Sequence, residues 1–249
     1  MKDNLDIIYE DQSIVVLNKP SGLLSIQDRY NDNIPNLKSM LRKKYGDIFV
    51  VHRLDRETSG AIIFAKTAEA HKSINDQFTE FKTTKIYHAL IAGNLPKDEL
   101  LIDIPLMVNP NGKGGVVPSA RGKEAYTKVK VLERFKNATL LECELLTGRQ
   151  HQIRAHLKAI GYPLLVDEFY GTNTNFMLST IKKRFNLQKN EDEKPVIERV
   201  TLHSFRLGII HPDTNVEMFF EAPYQKDFDV TIKLLRKYAA ISKYSVAGL

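Results

Sequence analysis

The sequence has one cysteine and no long apolar run. These two features argue against a disulfide-bonded secreted protein and against a membrane-spanning protein. Cys143 is the single cysteine of 249 residues, so no disulfide can form within the chain, which is typical of proteins in the reducing cytoplasm. The opening residues hold no apolar signal-peptide core, and no stretch approaches the roughly 18 apolar residues that a membrane helix needs. We therefore expect a cytoplasmic protein with no membrane association.

The sequence also lacks the patterns that mark nucleotide and metal sites. Residues 109–115 are rich in glycine, but no serine or threonine follows the lysine there and the next residues do not open a helix, so the segment is not a P-loop. His151 and His156 are five positions apart, about 140° on a helix, which misses the i, i+4 spacing of helical metal ligands. We expect neither a cofactor nor a metal.

What is present is an ordinary globular composition with a mild basic excess. Hydrophobic residues make up 43% and charged residues 27% of the chain, which argues against disorder, and 249 residues suffice for one large or two small domains. Lysine and arginine number 36 against 30 acidic residues, and the net charge of +6 permits a polyanionic partner without requiring one. Charge alone therefore leaves the partner open.

Short apolar runs bounded by turn residues predict the strands, and apolar residues at helical spacing predict the helices. The predicted strands are residues 7–9, 14–17, 48–51, 61–65, 85–93, 128–132, 138–146 and 216–223. The predicted helices are residues 36–45, residues 67–81 with Thr67 as the cap, and a tail helix from residue 227. Residues 172–198 are polar and charged, which is typical of a surface insertion.

The stretch from Val51 to Gly60 is a loop between two of these apolar runs, and it carries an aspartate flanked by arginines. Asp55 stands between Arg53 and Arg56. An aspartate paired with arginine stays ionised at neutral pH and can act as a nucleophile. Residue types alone leave a second interpretation open, in which Asp55 makes a structural salt bridge or caps the next element.

Residues 146–163 predict a helix with a basic start. Apolar residues recur at positions i, i+4 and i+7, Thr147 is the predicted N-cap, and Gly161 with Pro163 ends the helix. The first turns carry basic or imidazole groups, which are Arg149, His151, Arg154 and His156. Positive groups at a helix start oppose the helix dipole and so indicate an anionic partner, while a solvated basic face is the alternative interpretation.

Residues 52–60, His-Arg-Leu-Asp-Arg-Glu-Thr-Ser-Gly, resemble the H-R-L-D-x-x-T-S-G signature of the RluA family of RNA pseudouridine synthases. The resemblance covers about residues 7–223. Further stretches that are similar to the family are Lys-Pro-Ser-Gly at 19–22, Lys-Ile-Tyr-His-Ala at 85–89, the T-G-R-x-H-Q-I-R-x-H motif at 147–156, the Asp-x-x-Tyr-Gly turn at 167–171 and a strand at 201–207. Two positions depart from the family pattern: Val166 stands where glycine is usual, and Ser204 replaces alanine.

The resemblance implies an α+β pseudouridine synthase fold, in which a mostly antiparallel, mixed sheet carries flanking helices and a central basic cleft. It implies an isomerase that converts uridine in ribosomal or transfer RNA to pseudouridine without a cofactor. In the family pattern Asp55 is the catalytic carboxylate, Tyr87 is the active-site tyrosine that stacks on the uracil, and Arg154 pairs with the carboxylate. We expect these three side chains to meet in one pocket.

The resemblance also implies base flipping, because the sugar of a paired or stacked uridine is otherwise out of reach. Arg53 is similar to the family arginine that occupies the vacated space. The candidates for phosphate or nearby RNA contacts are Lys19, whose side chain is expected to point outward, Arg149, His151 and Gln152.

We expect a single catalytic domain over residues 1–249, with residues 172–198 as an insertion and residues 224–249 as a helical tail. No separate N-terminal RNA-binding domain is expected, since the first strand begins near residue 6, and a monomer is the expected state. Two rival functions are a catalytically silent RNA-binding protein that uses the same cleft and an unrelated hydrolase with an aspartate nucleophile. The intact catalytic residues disfavour the first, and the second requires a metal or a released product.

Overall fold

The computed structural model describes residues 5–112, 114–186 and 191–241. The chain divides into two compact units. Unit 1 contains the residues up to Tyr87, Glu144–Leu146 and His203–Tyr224, and unit 2 contains His88–Cys143, Thr147–Leu202 and the residues from Gln225 onward. The described residues form a mixed α+β fold with a large, mostly antiparallel sheet and four α-helices, which confirms the predicted fold class. The single catalytic domain stays a prediction.

Unit 1 is organised on a sheet whose inner strands are buried. Its strands are β1 (Ile7–Glu10), β2 (Ile14–Lys19), β3 (Phe49–Val50), β4 (Ser59–Ala65), the first residues of β5 (Thr84–Ala92), β11 (Leu202–Ile210) and β12 (Glu217–Glu221). Neighbours follow the order β1-β2-β4-β11-β5, with β3 on β4 and β12 on β11. Every residue of β2 and β4 is buried, as their continuous apolar runs predict. Strands β4 and β11 run parallel, whereas β1, β2 and β4 are antiparallel.

The two helices described in unit 1 form where the sequence predicts them. Helix α1 covers Leu37–Tyr45, and the side chain of Asn36 accepts a backbone hydrogen bond at its start. Helix α2 covers Ala68–Thr79, and Thr67 caps it in the same way. The buried face of α2, including Ile74, packs with β2, β4, β11 and β12 in one apolar core.

Unit 2 contains the rest of β5, followed in sheet order by three further strands. These strands are β10 (Ala138–Leu145), β9 (Tyr126–Arg134) and β6 (Glu99–Asp103). Of these, β9 and β6 pair antiparallel. A separate hairpin, β7 (Leu106–Val108) with β8 (Val116–Pro118), closes the glycine-rich loop. The sequence predicts the β9–β10 hairpin but misses β6, β7 and β8, because runs of five, three and three residues are too short to show a clear period.

The helix of the basic stretch begins later than predicted. Helix α3 covers Gln152–Ala159, and His151, with a left-handed φ of +52°, precedes it. The Thr147 hydroxyl donates to the side-chain oxygen of Gln152 at 2.8 Å and accepts from the Tyr126 amide at 2.9 Å. These non-local bonds hold the residues before α3 as a loop against β9, so the predicted Thr147 cap is wrong.

The polar segment 172–198 is packed at its two ends. Phe176 and Ile197 pair in an isolated bridge, and both are buried. Between them lies a short 3-10 helix at Leu178–Thr180. Residues 187–190 of this segment lie outside the described residues.

The predicted tail helix is α4, which covers Lys226–Tyr238 and packs through buried residues such as Phe228 and Ile232. Residues 242–249, also assigned to the tail, lie outside the described residues. Every helix in the part of the chain that the structure describes is too short or too polar to cross a membrane.

Candidate active site

The Asp55 loop, residues 52–58, is fixed at its start by His52 and Leu54. The His52 Nε2 atom accepts the Ile63 amide of β4 at 3.1 Å, and the imidazole stacks on Phe78 with ring centroids 4.8 Å apart. Burial, with a smaller effect of the Lys85 ammonium, lowers the pKa of His52 to about 3. His52 is therefore a neutral acceptor that ties the loop to β4.

Ser25 fixes the residue immediately before Asp55. Its hydroxyl donates to the Leu54 carbonyl at 2.8 Å and accepts from the Leu54 amide at 3.1 Å. One buried serine thus satisfies both backbone groups of a buried residue, as a neighbouring strand would. The Thr58 amide donates to the Asp55 carbonyl at 3.1 Å and closes the turn on the other side.

Lys19 supports the same loop from inside unit 1. Its side chain has no exposed surface, and its ammonium donates to the carbonyl oxygens of Pro20, Leu23 and Arg56 at 3.0, 2.7 and 3.0 Å. A buried ammonium needs such acceptors. Two of the three belong to the loop that follows Lys19, and the third belongs to the Asp55 loop. The expectation that Lys19 points outward is therefore wrong, and its position gives it an internal, supporting role.

The Lys-Pro-Ser-Gly loop makes further backbone contacts with the Asp55 loop. The Gly22 amide donates to the Arg56 carbonyl at 2.9 Å, and Arg56 Nε donates to the Gly22 carbonyl at 3.1 Å. The Ser21 hydroxyl donates to the Glu57 carbonyl at 2.8 Å. The two loops are consequently one hydrogen-bonded assembly, which fixes the backbone that carries Asp55.

The Thr-Ser-Gly end of the motif joins β4 to β11. The Ser59 hydroxyl lies 2.9 Å from His203 Nδ1, and His203 Nε2 lies 3.0 Å from the Ala222 carbonyl. Because that carbonyl only accepts, Nε2 donates to it, and in the neutral imidazole Nδ1 then accepts from Ser59. Gly60 has a φ of +113°, and a Cβ there would lie 2.2 Å from the Ser204 carbonyl oxygen. Only glycine fits this close approach.

Tyr87 shares the electrostatic environment of Asp55 within unit 1. Its ring lies on β5 with 9% of its surface exposed, and its phenol hydrogen-bonds to Ser204. The Ser204 hydroxyl also donates to the Ala61 carbonyl at 3.0 Å. Burial raises the pKa of Tyr87 well above its ordinary value, the Ser204 bond opposes this, and the Asp55 charge raises it further. The phenol is therefore protonated at neutral pH.

Arg154 lies on α3 in unit 2, where its guanidinium is held on two sides. Its Nε and Nη2 atoms donate to the two carboxylate oxygens of Asp167 at 2.7 and 2.8 Å, and its Cζ lies 5.0 Å from the centre of the Tyr170 ring. Arg154 is 8% exposed and Asp167 is fully buried. The guanidinium therefore has a fixed orientation.

Asp167 is itself held in the ionised state. Burial works to raise its pKa, but the hydrogen bond and charge of Arg154 lower it, as do the amides of Phe169 and Tyr170, which donate at 3.0 and 2.9 Å. The net pKa lies below the ordinary value of an aspartate. The turn forms with Val166 in the place of the usual glycine.

The predicted RNA-binding residues differ in their accessibility. Arg53 is exposed, and Arg149 is partly exposed, with Nε donating to the Glu124 carbonyl at 2.9 Å. His151 lies beside the Tyr170 hydroxyl at 3.2 Å. Gln152 is buried and its amide is used inside unit 2, where it bonds to Thr147, Tyr126 and Thr127 and to the Arg149 amide. Its geometry is that of a structural residue.

Three supporting residues escape prediction from the sequence. Ser25 carries no recognisable signal, because its partner Leu54 is distant in the chain. Asp167 belongs to a motif similar to the family, but the motif alone does not indicate its pairing with Arg154. Ser204 carries the clearest signal, since it departs from the usual alanine.

Comparison with known proteins identifies the family. A family model described as RNA pseudouridylate synthase matches residues 13–159. The dual-specificity RNA pseudouridine synthase RluA of Vibrio vulnificus is 35% identical over 216 residues, covering 84% of this chain and 79% of that protein. The ribosomal large subunit pseudouridine synthase D of Neisseria meningitidis is 34% identical over 248 residues, covering 95% of this chain and 63% of that protein.

A solved structure agrees with the fold. The human RNA pseudouridylate synthase domain containing 1 superposes with a TM-score of 0.67 at 23% identity, over 96% of this chain and 98% of that one. At that identity the likeness shows the fold alone, whereas the family model and the curated relatives carry the family assignment. The chain therefore belongs to the RluA family of RNA pseudouridine synthases and is an RNA-modifying isomerase.

Proposed function

We propose that the chain isomerises uridine in ribosomal or transfer RNA, with Asp55 as the nucleophile and with the target base flipped out of its stack. The observation that carries this proposal is the Asp55 carboxylate on a loop whose backbone is fixed by Lys19 and Ser25, in the same unit as Tyr87. The substrate class draws on the names of the relatives, one of which acts on the large ribosomal subunit.

The reaction breaks the bond between N1 of uracil and C1′ of the ribose, rotates the base, joins C5 to C1′ and removes the proton from C5. No electrons enter or leave, so one positioned carboxylate can carry the exchange. Asp55 acts by attacking C1′, by attacking C6 of the uracil, or by removing the C2′ proton on a path through a glycal. All three routes need an ionised carboxylate and a loop that does not move.

Tyr87 is proposed to stack on the uracil. Its raised pKa makes the phenol a poor base in the free enzyme, so its ring and its hydrogen bond, and not an ionised oxygen, support this role. Burial raises that pKa most, the Ser204 bond lowers it, and the Asp55 charge, the third cause, raises it.

Arg154 is proposed to be the partner of the nucleophilic carboxylate, as the family resemblance implies. Its fixed guanidinium supports the assignment, because a preorganised charge stabilises a carboxylate without a further cost in side-chain entropy. Asp167 and Tyr170 act through Arg154 and are positioning residues.

Base flipping is assigned to Arg53, which is exposed and lies two residues before Asp55. Extruding a base costs a few kcal/mol, and a side chain that fills the vacated space offsets part of that cost. Arg149 and His151 are the proposed contacts to phosphates or neighbouring nucleotides. A catalytically silent RNA-binding protein is not favoured, because the relatives are named as synthases.

The test is tritium release from ribosomal RNA and transfer RNA labelled at C5 of uridine. We expect release with the wild type and none above background with Asp55→Ala. The matched control is Asp47→Ala, because Asp47 is an exposed aspartate of the same unit outside the site. Equal release by wild type and Asp55→Ala, or none from either RNA with the wild type, contradicts the proposal.

A further inference from the structure

Residues 26–35 form a compact surface loop, which we call the Tyr30 loop. Its two ends are held together, since Leu24 bridges to Asn36 and the Leu37 amide donates to the Leu24 carbonyl at 2.8 Å. Compact surface loops of this length with closed ends are Ω-loops, which often carry function. The sequence motifs assign no role to this loop.

The tip of the Tyr30 loop is an ordered turn. One carboxylate oxygen of Asp28 accepts the amides of Tyr30 and Asn31 at 2.9 and 3.1 Å. The Gln27 side-chain amide donates to Asp32 at 2.7 Å across the loop. The two acidic side chains are thus engaged within the loop, and the Tyr30 backbone is held in the turn.

Tyr30 is the most exposed of the large hydrophobic side chains that the structure describes. It is 95% exposed, compared with 54% for Phe81 and 52% for Phe219 in the same unit. Tyr9 and Tyr45, by contrast, donate their hydroxyls to carboxylates of unit 1. An aromatic ring that is almost fully exposed on an ordered turn leaves its flat face open for stacking on another ring.

The Tyr30 loop is tied to the catalytic loop and leads into a basic helix. Ser25, at its base, bonds to both backbone groups of Leu54, the residue before Asp55. Helix α1 follows the loop and contains no acidic residue, and its exposed basic side chains are Lys38, Arg42, Lys43 and Lys44. Lys38 and Arg42, four positions apart, form the basic face of α1. A stacking ring followed in the chain by such cations is a combination that binds unpaired nucleotides.

We propose that the Tyr30 loop binds the substrate RNA, with the Tyr30 ring stacked on an unpaired base that flanks the target uridine and the basic face of α1 on neighbouring phosphates. The inference rests on the proposed function, because it takes the Asp55 loop as the place where the target nucleotide is bound. The proposed stacking favours target uridines that have an unpaired neighbour. A base within a duplex already stacks on the bases of its own strand and is not free to stack on Tyr30.

The first experiment measures binding in an Asp55→Ala background, which prevents turnover. The probes are a fluorescein-labelled RNA hairpin with an all-uridine loop and a fully paired RNA of the same length. Tyr30→Ala should weaken binding of the hairpin about 5- to 100-fold and leave the duplex within about 2-fold. Tyr30→Phe keeps the ring and should bind as the parent does. Phe81→Ala, which removes another exposed ring of unit 1, is the matched control and should change neither.

The basic face is tested by the salt dependence of the same binding. Arg42→Gln should reduce the slope of log K against log salt by about 0.7 to 0.9 for each phosphate that the arginine neutralises in the parent complex. In the active enzyme, Tyr30→Ala should raise KM for the modified RNA and leave kcat within about 2-fold. A fall in kcat without a change in KM would place Tyr30 in the chemical step and overturn the proposal.

Two results would contradict the inference. Either Tyr30→Ala binds the hairpin as tightly as the parent does, or it binds the hairpin and the duplex more weakly by the same factor. A change in oligomeric state with Tyr30→Ala also removes it, because the ring would then be covered by a second copy. Its failure is distinct from that of the proposed function. Tritium release that depends on Asp55 but not on Tyr30 leaves the function intact, whereas Tyr30-dependent binding without any release removes the function alone.

Discussion

The two charged residues assigned to catalysis are held in different ways. Asp55 in unit 1 sits on a loop whose backbone is bound by Lys19 and Ser25, so the supports place the loop that carries the carboxylate. In unit 2 the supports contact the reactive group directly, since the Arg154 guanidinium lies between the Asp167 carboxylate and the Tyr170 ring. Loss of a support in unit 1 displaces a loop, whereas loss of Asp167 also changes the charge balance of a buried site.

Asp167→Asn tests the second arrangement and should have the largest effect. It removes the Asp167 charge from the buried bidentate pair with Arg154, and breaking a buried pair costs about 3–5 kcal/mol of unfolding free energy. Denaturant unfolding of wild type and variant measures this loss. The control is Asp98→Asn, because Asp98 pairs with Arg134 at the surface, where such a pair contributes about 0–1 kcal/mol. Equal losses for the two variants would contradict the role assigned to Asp167.

The pH dependence sharpens the same prediction. The pKa of Asp167 is lower in the folded protein than in the unfolded chain, so its stabilisation is complete above about pH 4, the ordinary aspartate value, and is lost as pH falls through the lower folded value. We expect the stability of the wild type to fall more steeply than that of Asp167→Asn below about pH 4. Parallel curves would show that Asp167 is not the titrating group.

Lys19→Met tests the first arrangement. Methionine fills a similar volume but donates no hydrogen bond, so the carbonyls of Pro20, Leu23 and Arg56 lose their buried donor, at a cost of about 2–4 kcal/mol in unfolding free energy. Tritium release should fall at least about 10-fold at a temperature where the variant is folded, because the Asp55 loop is no longer fixed. The control is Lys72→Met on the exposed face of α2. A stable, fully active Lys19→Met would show that the loop holds itself.

Elements that depend on local patterns could be predicted from the sequence, whereas contacts between distant residues could not. Strands β2 and β4 and helix α2 follow from local patterns, an apolar run or a cap such as Thr67, and the structure has them where the patterns place them. The burial of Lys19 does not follow from local patterns, because one of its acceptors, Arg56, lies 37 positions away. Thr147 fails as a predicted cap for the same reason, since its partner Tyr126 belongs to another strand.

In the candidate site, too, the motif residues could be predicted and the residues that support them could not. The residue types around Asp55 leave a structural salt bridge open, and the resemblance to the family selects the catalytic interpretation. Neither source indicates which residues hold the site, because Ser25 and Asp167 act through contacts with distant segments. A motif therefore indicates candidate reacting groups more readily than the residues that support them.

Ser204→Ala should have the smallest effect, because it removes one hydrogen bond to Tyr87 and restores the residue that is usual in the family. The expected loss is about 2- to 10-fold in kcat/KM, which corresponds to one hydrogen bond of about 0.5–1.5 kcal/mol. The Ser204 bond lowers the pKa of Tyr87, so its loss raises that pKa further.

A double-mutant cycle decides whether Ser204 acts through Tyr87. In a Tyr87→Phe background the phenol is absent, so Ser204→Ala should cause no further loss of kcat/KM. The same loss in both backgrounds would mean that the Ser204 hydroxyl acts through its other bond, to the Ala61 carbonyl, and so through the packing of β11 against β4. In that case Tyr87 is placed by the packing of β5 alone, and the orientation of the phenol becomes a property of the sheet and not of one side chain.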